Sequence, residues 1–515
     1  MAANVIVVGA GAAGMAAASA LAHGGAKVTV LEKDHFLGGR WGTMTTTSFE
    51  QDDRRWEFPI EHGIHGFWRQ YRNLRALLAR HGLDRHMIDS GRQELALCLD
   101  GDRIRFLDVG DTVRNSPLPD PFAFAGLLAD REFLRLVLRA NPLAMVSMAR
   151  DMGHVFAFDP AKDIEEYDQY TVLQLVRNWP PFMRSFFRSL VHMAFFLELD
   201  EAALGAFMTS LQHYTVCDKR DISFNYLGDT TEACVFRPIA DFIESRGGRV
   251  LTNNHVEEVV VEDGRVCGVM AKDARGRRRR LKADACILAV DPPAMKALQV
   301  EGLPDVVLGD PPEAIASNTV RFWFSGRPAP ERATNGMVSG PNINNYFWVS
   351  SIQRPFVEWA EATGGSAIEA HQYGAVANKA ANQTDAELME GARRRIEEVW
   401  PGVAGTCVHQ HLVRSPPGHP DFRKGVWNKM PPVRTKLPNL AICGDWVGPE
   451  HHVFFLERCA TTGLEAARTV APAIGVDTGA MPELIPAHPA SSGFKLYQHI
   501  AQVLRRQGLL PSLDR

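Results

Sequence analysis

Hydrophobic residues gather in short runs along this chain, separated by helical patterns and by glycines. The first run, Asn4–Val8, is typical of a buried parallel strand. The alanine-rich stretch after it predicts a helix to about His23, which Gly24 and Gly25 end. A second run, Lys27–Leu31, predicts another strand. Strand, helix and strand in close succession predict a βαβ unit at the start of the chain.

The turn between the first strand and the helix has the sequence GAGAAG over residues 9–14. Gly9 permits the tight turn, Gly11 lets the backbone approach a pyrophosphate, and Gly14 lets the helix pack closely on the strand. Glu32 follows the second strand, about 20 residues beyond Gly11, where an acid hydrogen-bonds ribose hydroxyl groups. Together, the two strands, the helix and the acid predict dinucleotide binding.

Similar apolar patterns recur far along the chain. Arg249–Val261 and Arg265–Ala271 predict a strand–turn–strand unit, and Ala285–Val290 predicts a strand that runs to a proline-containing turn. Leu440–Cys443 predicts one more strand, and Leu464–Val470 belongs to an alanine-rich helix after it. The sequence therefore predicts a nucleotide-binding domain assembled from separated segments, with substrate-binding parts inserted between them.

The inserted region is rich in aromatic and sulfur side chains. Pro121–Ser210 carries 11 of the 27 phenylalanines and 6 of the 16 methionines. Helical spacing predicts helices over Glu132–Val146 and Phe182–Phe196. Two interpretations stay open: an ordinary helical core, or a tunnel or membrane-facing mouth for a long apolar substrate, to which flexible methionines and flat aromatic rings are suited.

Two other segments have simpler patterns. Arg277–Arg280 lies between two predicted strands, and we expect it at a solvated hairpin tip. Pro472–Pro489 is rich in Pro, Ala and Gly, which is typical of a linker. Phe494–Leu510 then forms an amphipathic pattern, and both a packing helix and a membrane-surface helix are compatible with it.

Composition narrows the class of protein. The 515 residues favour two or three domains, and 45% hydrophobic with 23% charged residues is typical of a globular chain. Charges balance to -4, so we expect no nucleic-acid partner. The eight cysteines form no CxxC pair, and the uncharged run Val5–Ala22 is too rich in Gly and Ala for a signal or membrane anchor. We expect a cytoplasmic protein, with peripheral contact at the inner face of the membrane as an open alternative.

Three motifs carry a resemblance to a known family. They are Gly38-Gly39-Arg40, the stretch Glu61–Arg75 (EHGIHGFWRQYRNLR) and Phe455–Gly463 (FLERCATTG). The motifs resemble the FAD-dependent amine oxidase and carotenoid desaturase superfamily. The second is most similar to the bacterial carotenoid φ-ring synthases (isorenieratene synthases), which are β-carotene desaturase/methyltransferases. Trp68 and Arg72 depart from that pattern, and we expect both to line the substrate path.

The resemblance implies FAD as the cofactor and an α/β fold, with a Rossmann-like FAD-binding domain and an inserted α+β substrate domain. It implies that Arg40 meets phosphate, Asp445 the ribityl or pyrophosphate region, Val256 the adenine, and Leu456 the flavin pyrimidine. The full set of expected cofactor-binding residues is Gly9, Gly11, Ala13, Gly14, Glu32, Lys33, Gly39, Arg40, His62, Gly63, Ile64, Val256, Gly444, Asp445 and Leu456.

Three residues are candidates for catalysis. We expect His65 to act directly, by stacking near the flavin, by donating a hydrogen bond or as a base. Glu61 and Glu457 are weaker candidates, and their alternative role is to hold the site together. Histidine pairs such as His451 and His452 resemble metal ligands, but no nearby acid or cysteine completes a set, so we expect no metal.

The expected organisation alternates between the two domains. FAD-binding parts cover residues 1–80, 236–300 and 433–473. Substrate-binding parts cover residues 81–235, which are largely helical and apolar, and 301–432. Residues 474–515 form the linker and the amphipathic helix.

The resemblance implies desaturation of a hydrophobic isoprenoid, most closely a carotenoid whose β-ring is aromatised with a methyl shift. The electrons would pass to a quinone or to O₂, a choice that the sequence leaves open. Two other functions stay open. A flavin-containing amine oxidase would oxidise a small or lipophilic amine, and a flavin-dependent carotenoid isomerase would change double-bond geometry without net oxidation.

Overall fold

The computed structural model describes residues 2–91, 93–99, 103–300, 314–328, 334–338, 342–403 and 407–514. The strands in these ranges are β1 Asn4–Val8, β2 Lys27–Leu31, β3 Thr43–Gln51, β4 Arg54–Glu61, β5 Phe67–Trp68, β6 Met87–Asp89, β7 Gln93–Leu99, β8 Arg103–Asp108, β9 Phe224–Leu227, β10 Arg249–Leu251, β11 His255–Glu262, β12 Arg265–Lys272, β13 Arg278–Lys282, β14 Ala285–Leu288, β15 Gln299–Val300, β16 Ala314–Phe324, β17 Asn335–Val338, β18 Asn345–Phe347, β19 Ser366–Tyr373, β20 Cys407–Pro420 and β21 Leu440–Ile442.

The α-helices are α1 Ala12–His23, α2 Arg72–Arg80, α3 Gly110–Arg114, α4 Arg131–Arg139, α5 Pro142–Ala157, α6 Pro160–Tyr167, α7 Val172–Val176, α8 Pro181–Phe195, α9 Leu204–Leu211, α10 Arg237–Ser245, α11 Pro292–Ala297, α12 Arg354–Thr363, α13 Gly374–Ala380, α14 Asp385–Val399, α15 Phe455–Val470 and α16 Ser492–Arg506.

An all-parallel sheet in the order β10-β2-β1-β14-β21 carries the nucleotide motif. Its strands are rich in Val, Ile and Leu because both faces of the sheet are buried. The register pairs Val8 with Leu31 and with Leu288, so these strands end at the same level. Gly9 and Glu32 therefore leave the sheet at one edge, although they belong to different strands.

Helices α1 and α15 pack together on this sheet, and small residues let them approach closely. A Cβ atom at Gly463 would lie 2.4 Å from the carbonyl oxygen of Ala13. A four-stranded sheet, β13-β12-β11-β15, contacts the parallel sheet through β12 and β14. The predicted Rossmann-like domain, built from separated segments, is confirmed.

A seven-stranded mixed sheet, β20-β16-β19-β18-β17-β7-β8, forms the centre of the second domain. Side chains alternate between its two faces. Val320 and Phe322 of β16 pack with Ile368 of β19 and with Ile396 of α14 in one apolar core. The opposite face carries polar side chains, including Arg321. This sheet, with helices α4 to α9 beside it, is the predicted inserted α+β domain, and that fold class is confirmed.

The expected domain boundaries stay a prediction, and two observations bear on them. The hairpin β3–β4 lies within residues 1–80, yet Trp56 and Phe58 pack with Trp323 and Trp359 of the second domain. Residues 301–313, where the second substrate segment was expected to begin, lie outside the described ranges.

The helix expected over Glu132–Val146 was wrong, because the chain forms two helices, α4 and α5. Pro142 has no backbone N–H and lies at the start of α5. The Asn141 side chain caps that helix by accepting a hydrogen bond of 2.8 Å from the Leu143 backbone N–H. The second predicted helix, Phe182–Phe196, is confirmed within one residue as α8.

Two strand expectations were also inaccurate. The strand expected over Arg249–Val261 is broken after β10, where Asn253 has a positive φ of 55°, so β10 and β11 join different sheets. Residues 278–280 of the expected hairpin tip lie on β13, and the turn comes earlier, at residues 274–275. A hydrogen bond of 3.0 Å from Arg279 to the Asn254 side chain fixes this strand beside the end of the parallel sheet.

The C-terminal helix α16 packs on α5 and also presents an apolar outer face. Phe494 and Ala501 are buried against the protein, and the Gln498 side chain donates a hydrogen bond of 2.7 Å to the Phe158 carbonyl oxygen. Leu496 and Ile500 point to solvent. The helix therefore satisfies the packing interpretation and leaves the membrane-surface interpretation open. Among the described residues, no helix combines the length and hydropathy needed to cross a bilayer.

Candidate active site

One cavity of about 1310 Å³ extends from the edge of the parallel sheet to the inserted domain. Its first half is bordered by the loops that follow β1, β2, β14 and β21, with many glycines and charged groups. Its second half is bordered by aromatic and aliphatic side chains of α8, α9 and the mixed sheet. The two halves are continuous, so a molecule bound in one half faces a molecule bound in the other.

The glycine turn shapes the first half of the cavity. Gly9 has a φ of +99°, and a Cβ atom there would lie 2.4 Å from the carbonyl oxygen of Ala289. A Cβ atom at Gly14 would lie 2.0 Å from the Gly9 carbonyl oxygen, so Gly14 serves the packing of α1 on the strand and lies outside the cavity wall. Gly11 differs, since its nearest neighbour, the Gly38 carbonyl oxygen, lies 3.9 Å from the Cβ position. The space above Gly11 is open to the cavity.

Glu32 and the loops beside it form one end of this half. The buried Glu32 carboxylate accepts hydrogen bonds from the backbone N–H groups of Ala10, at 2.8 Å, and Asp34, at 2.9 Å. Burial raises the pKa of Glu32. Lys33 and Val256 line the cavity nearby. The carboxylate thus holds the glycine turn in place and borders the space where a ribose would lie.

An ion pair forms the opposite wall of the cofactor half. Arg40 donates two hydrogen bonds of 2.8 Å to the Asp445 carboxylate, which joins the GGR motif to the segment after β21. Gly444, just before that acid, donates a hydrogen bond of 3.0 Å from its backbone N–H to the Thr462 hydroxyl. Leu456, in the first turn of α15, also lines the cavity. A positive guanidinium, open glycine backbone and two helix N-termini suit a pyrophosphate.

The Gly63 segment lies where the two halves of the cavity meet. His62, Gly63, Ile64 and His65 all line it. Burial lowers the pKa of His65 to about 4, so its imidazole is neutral near pH 7 and is a weak base. This favours contact or hydrogen bonding over proton abstraction. The buried Nδ1 of His65 has no hydrogen-bond partner among the described residues, which leaves it available to a bound cofactor.

His62 belongs to a separate polar cluster. Its Nδ1 lies 2.7 Å from the Ser415 hydroxyl, and its Nε2 lies 3.1 Å from Nε2 of His419. His419 also lies 3.2 Å from the Ser317 hydroxyl and 3.3 Å from the Arg40 guanidinium. Burial lowers the pKa of both histidines well below the ordinary value. The neutral imidazoles of His62 and His419 therefore form a polar cluster that contacts the Arg40 guanidinium through His419.

A second polar cluster extends from β16 and β19 into the cavity. Arg321 of β16 forms a buried ion pair with Glu369 of β19. Glu369 accepts hydrogen bonds of 2.6 Å from the Ile64 backbone N–H and from His371 Nε2. His371 Nδ1 in turn contacts the Tyr373 hydroxyl. His371 and Tyr373 line the cavity, so this chain of contacts connects a buried ion pair to the open space.

The substrate half is predominantly apolar. Its lining includes Phe124, Phe186, Leu190, Met193, Phe195, Phe196, Phe207, Leu211, Ile222, Phe224, Met337 and Phe347. Trp68 is part of this wall as expected, and its ring lies 4.6 Å from that of Phe224. Arg72 does not line the cavity, since its guanidinium donates a hydrogen bond of 2.8 Å to the Pro486 carbonyl oxygen. One acid, Glu94, faces this half beside the Tyr346 hydroxyl.

Comparisons with known proteins agree with this geometry. Residues 12–471 match the family described as flavin containing amine oxidoreductase. The chain belongs to this family. As a flavin containing amine oxidoreductase it is an FAD-dependent oxidoreductase, and the open backbone at Gly11, the Arg40 guanidinium and the unpaired His65 Nδ1 fit that cofactor.

Individual relatives and one solved structure extend the comparison. Proteins named carotenoid phi-ring synthase from Streptomyces griseus and Chlorobaculum tepidum are 27% and 21% identical to this flavoprotein. These matches cover 92% and 91% of this chain and 88% of each relative. The structure of cyclohexylamine oxidase from Brevibacterium oxydans is 16% identical, with a TM-score of 0.61 over 92% of this chain and 100% of that chain. This structural likeness shows the fold alone.

The flavoenzyme's expected site residues divide into two groups by position. Every expected cofactor-binding residue except Gly14 lines the cavity, and so does His65. Glu61 and Glu457 lie outside the wall. Glu61 accepts a hydrogen bond of 2.7 Å from the Thr231 backbone N–H and one of 3.0 Å from the Gln353 side chain.

Glu457 supports the start of α2 from within α15. It accepts hydrogen bonds of 2.9 and 3.0 Å from the backbone N–H groups of Asn73 and Leu74. Burial raises the pKa of Glu61 and of Glu457 to about 7. Their positions favour the alternative role, in which both acids hold the site together.

Sequence reasoning missed the cluster formed by Glu369, His371 and Tyr373. The sequence SAIEAHQY of β19 carries a signal for it, because three titratable residues occupy alternate positions of this strand, which is buried along its whole length. The statement that no acid lies near His451 was also wrong, because Glu465 contacts its Nε2. Glu450 completes a partly exposed group with them.

Proposed function

We propose that this flavoenzyme desaturates the end ring of a carotenoid, with a methyl shift that permits aromatisation. The observation that carries the proposal is the continuous cavity, whose apolar half faces the cofactor half without a barrier. A polyene offers no hydrogen-bonding groups, and side chains of phenylalanine, leucine and methionine need no hydrogen-bond partner from a bound substrate. The names of the two relatives, which cover nearly the whole chain, support the same substrate class.

In this proposal the chain's own residues position the substrate and exclude water, and bound FAD would supply the hydride acceptor. Gly63 lets the backbone of its segment lie against the His371 ring at the cavity wall, because a Cβ atom at Gly63 would lie 2.6 Å from His371 Cε1. Phe195, Phe196 and Phe207 exclude water from the ring that reacts. An allylic ring carbon held against the cofactor then loses hydride, and charge spreads along the polyene.

One feature favours the amine oxidase alternative. The Glu94 carboxylate faces the apolar half and would pair with a substrate ammonium group. Glu94 is buried and lies 3.4 Å from the Tyr346 hydroxyl. If amines are the substrates, Glu94→Gln weakens their binding by roughly tenfold or more, since it removes a charge-assisted contact. If carotenoids are the substrates, the same change leaves turnover nearly unaltered.

The test is to express the protein in a host that accumulates β-carotene and to measure the molecular masses of the extracted pigments by mass spectrometry. Aromatising one ring with all carbons retained lowers the mass by about 4 units, and two rings lower it by about 8 units. Purified enzyme is then assayed with O₂ and with a quinone in parallel, to identify the electron acceptor. Unchanged mass with altered chromatography indicates the isomerase. Unchanged pigment, together with peroxide released from amines, overturns the proposal in favour of the amine oxidase.

We further propose that the protein takes its substrate from a membrane surface, through a region here called the leucine surface. It consists of exposed side chains on α4, α5, α16 and the segment before α4: Leu128, Leu134, Leu138, Leu143, Val146, Leu496, Ile500 and Leu504. Leu138 is 75% exposed and Leu143 is 79% exposed, which is unusual for side chains that cost free energy in water.

The leucine surface adjoins the cavity and carries positive charge. The segment 122–129 contributes Phe124 to the cavity wall and Leu128 to the surface. Exposed cations on the same helices, Arg131, Arg139 and Arg506, would attract anionic headgroups. Apolar side chains with flanking cations are typical of helices that lie in a membrane interface. The geometry therefore gives a lipid-dissolved polyene a short path into the site.

The membrane proposal is tested with vesicles of phosphatidylcholine, with and without anionic phosphatidylglycerol. The double variant Leu138→Glu/Leu143→Glu is expected to lower the vesicle partition coefficient by about 30-fold, because two leucines at about 1 kcal/mol each contribute about 2 kcal/mol on burial. Val408→Glu is the matched control, since Val408 is exposed on β20, away from these helices. Equal loss in both variants, or wild-type protein that ignores both vesicle types, would overturn the membrane proposal alone.

A further inference from the structure

We propose that Glu369, His371 and Tyr373 form a proton relay in which the Tyr373 hydroxyl oxygen accepts the proton that the substrate ring loses. This inference rests on the proposed desaturation, which needs an acceptor for a proton as well as one for hydride. The three residues form a chain of contacts in which a carboxylate meets an imidazole and the imidazole meets a phenol. The phenol lies at the cavity.

The strand β19 sets the order of the relay. Successive side chains of a strand alternate between faces, so residues 369, 371 and 373 share one face. Ile368 and Ala370, on the other face, pack in the core with α14. The β16–β19 register places Arg321 directly opposite Glu369. The relay therefore lies on a central strand of the mixed sheet, and Arg321 of the neighbouring strand holds the Glu369 end in place.

Charge and hydrogen bonding select the direction of proton movement. Burial would raise the pKa of Glu369, but the positive charge of Arg321 and the hydrogen bond from His371 outweigh it and lower that pKa to about 2. An ionised Glu369 accepts only, so the hydrogen on His371 must lie on Nε2. This assignment leaves Nδ1 as the acceptor for the Tyr373 hydroxyl. The imidazole is thereby prepared to take a proton at Nδ1.

The substrate loses hydride to the flavin from one ring carbon and a proton from the neighbouring carbon. The electron pair of that second C–H bond forms the new double bond. The Tyr373 oxygen takes the proton while its own hydrogen passes to His371 Nδ1, and the resulting imidazolium is stabilised by the Glu369 carboxylate. After the product leaves, His371 Nδ1 returns its proton to the Tyr373 oxygen while the hydroxyl releases its own proton to water, which restores the starting state.

The position of the relay beside the Gly63 segment supports its role. The His371 ring is so close to that segment that only glycine fits at residue 63. The Tyr373 ring stacks on Phe196 with centroids 4.1 Å apart, which fixes its hydroxyl at the border of the apolar half. His65, by contrast, is a neutral imidazole with no described side chain behind it to take up a proton.

Other ionisable groups surround the relay and belong in any analysis of its pH dependence. His62 and His65 face it from the segment after β4, His419 from β20 and Arg321 from β16. Glu61 interacts electrostatically with Glu369, and Arg40 interacts electrostatically with the three histidines. Burial keeps the three histidines neutral near pH 7. The described surroundings therefore contribute two fixed positive charges: Arg321, which the Glu369 carboxylate compensates, and Arg40, which the Asp445 carboxylate compensates.

The first experiment observes the tautomer and needs no turnover. FAD-loaded protein labelled with ¹⁵N in histidine is examined by long-range ¹H–¹⁵N NMR, and the His371 signals are assigned by their absence in His371→Gln. We expect a protonated Nε2 and an unprotonated, hydrogen-bonded Nδ1 whose shift moves in Tyr373→Phe. A hydrogen on Nδ1 in the wild type would overturn the relay, since that nitrogen could not then receive one from Tyr373.

The second experiment measures turnover of β-carotene by Tyr373→Phe, which keeps the ring on Phe196 and removes the hydroxyl. We expect kcat to fall by about 100-fold, with KM and FAD content nearly unchanged. Deuterium at the carbon that loses the proton should slow the variant more than the wild type. Tyr226→Phe is the control: Tyr226 is buried outside the cavity wall, and its hydroxyl has no partner among the described residues.

Coupling between the residues separates a relay from a structural role. His371→Gln can still donate to Glu369 but cannot carry a proton onward. The double variant Tyr373→Phe/His371→Gln should therefore turn over no more slowly than the slower of the two single variants. Wild type that converts no carotenoid overturns the proposed function. Wild type that converts β-carotene while Tyr373→Phe matches its rate and isotope effect overturns the relay alone.

Discussion

The two halves of the cavity are built by different means. In the cofactor half, loops at the ends of parallel strands present backbone groups, and the charged side chains Arg40 and Asp445 pair with each other across it. In the substrate half, the wall consists of whole side chains from helices and from the mixed sheet, such as Phe186 and Phe207. The first half recognises a ligand by charge and hydrogen bonds, and the second by shape and the absence of water.

This difference determines what a substitution does. A side chain added in the cofactor half occupies ligand space, because the backbone itself approaches the ligand there. A side chain removed in the substrate half changes the shape of the ligand space and leaves the cofactor site intact. Buried ionisable groups lie where the halves meet, and burial shifts their pKa values in opposite directions: upward for Glu61 and downward for His65.

The largest effect is expected from Gly11→Ala. The Cβ position is open within the protein, so the apoprotein should fold. The added methyl group would hold the pyrophosphate away from the backbone of α1 and cost about 4 kcal/mol of charge-assisted hydrogen bonds. FAD affinity should fall on the order of 1000-fold, measured by flavin absorbance after gel filtration and by titration of the apoprotein.

Gly9→Ala is the contrasting variant for this prediction. Its Cβ atom would lie 2.4 Å from a backbone oxygen at a φ of +99°, so it should lose folded protein as well as FAD. Full retention of FAD by Gly11→Ala would show that the backbone at residue 11 does not approach the cofactor.

The cofactor half could be predicted from sequence because its determinants are local. The turn at Gly9–Gly14 and the acid Glu32 lie within one βαβ unit, where spacing alone fixes geometry. The distant parts were found through the resemblance of GGR and FLERCATTG to a family. Gly14 supports helix packing, as its spacing predicts, but it is absent from the cavity wall although it was expected among the cofactor-binding residues.

The relay could not be predicted in the same way because its geometry depends on strand pairing. Arg321 and Glu369 are neighbours only because β16 and β19 pair in one register, and a shift by one residue would point them to opposite faces. The break between α4 and α5 illustrates a different failure. Apolar spacing continued through Asn141-Pro142, and the local cap and missing N–H outweighed it.

An intermediate effect is expected from two adjacent phenylalanines of α8. Phe186 lines the substrate half, whereas Phe187 faces the core, with its ring 4.9 Å from that of Trp179. Phe187→Ala should lower the free energy of unfolding by about 3 kcal/mol. Phe186→Ala should lower it by less than Phe187→Ala does, by about 1–2 kcal/mol, because one side of its ring faces the cavity, but should raise KM for the carotenoid about tenfold, because the substrate loses an apolar contact.

Urea unfolding and steady-state kinetics on both variants measure this pair, and FAD content is the shared control, expected to be unchanged. If the two variants lose stability equally and bind substrate equally, the separation between cavity wall and core in α8 is wrong.

The smallest effect concerns the pH dependence of stability at the border of the two halves. Burial raises the pKa of Glu61 from 4.5 to about 7, so the folded protein retains a proton that the unfolded chain releases. The stability from this group is therefore complete below pH 4.5 and is lost as the pH rises through 7. Between pH 5 and pH 8, the free energy of unfolding of Glu61→Gln should decrease by about 2 kcal/mol less than that of the wild type, as measured by urea unfolding. The exposed Glu358→Gln is the control, and an identical pH dependence in both variants would show that Glu61 is ionised in the folded protein.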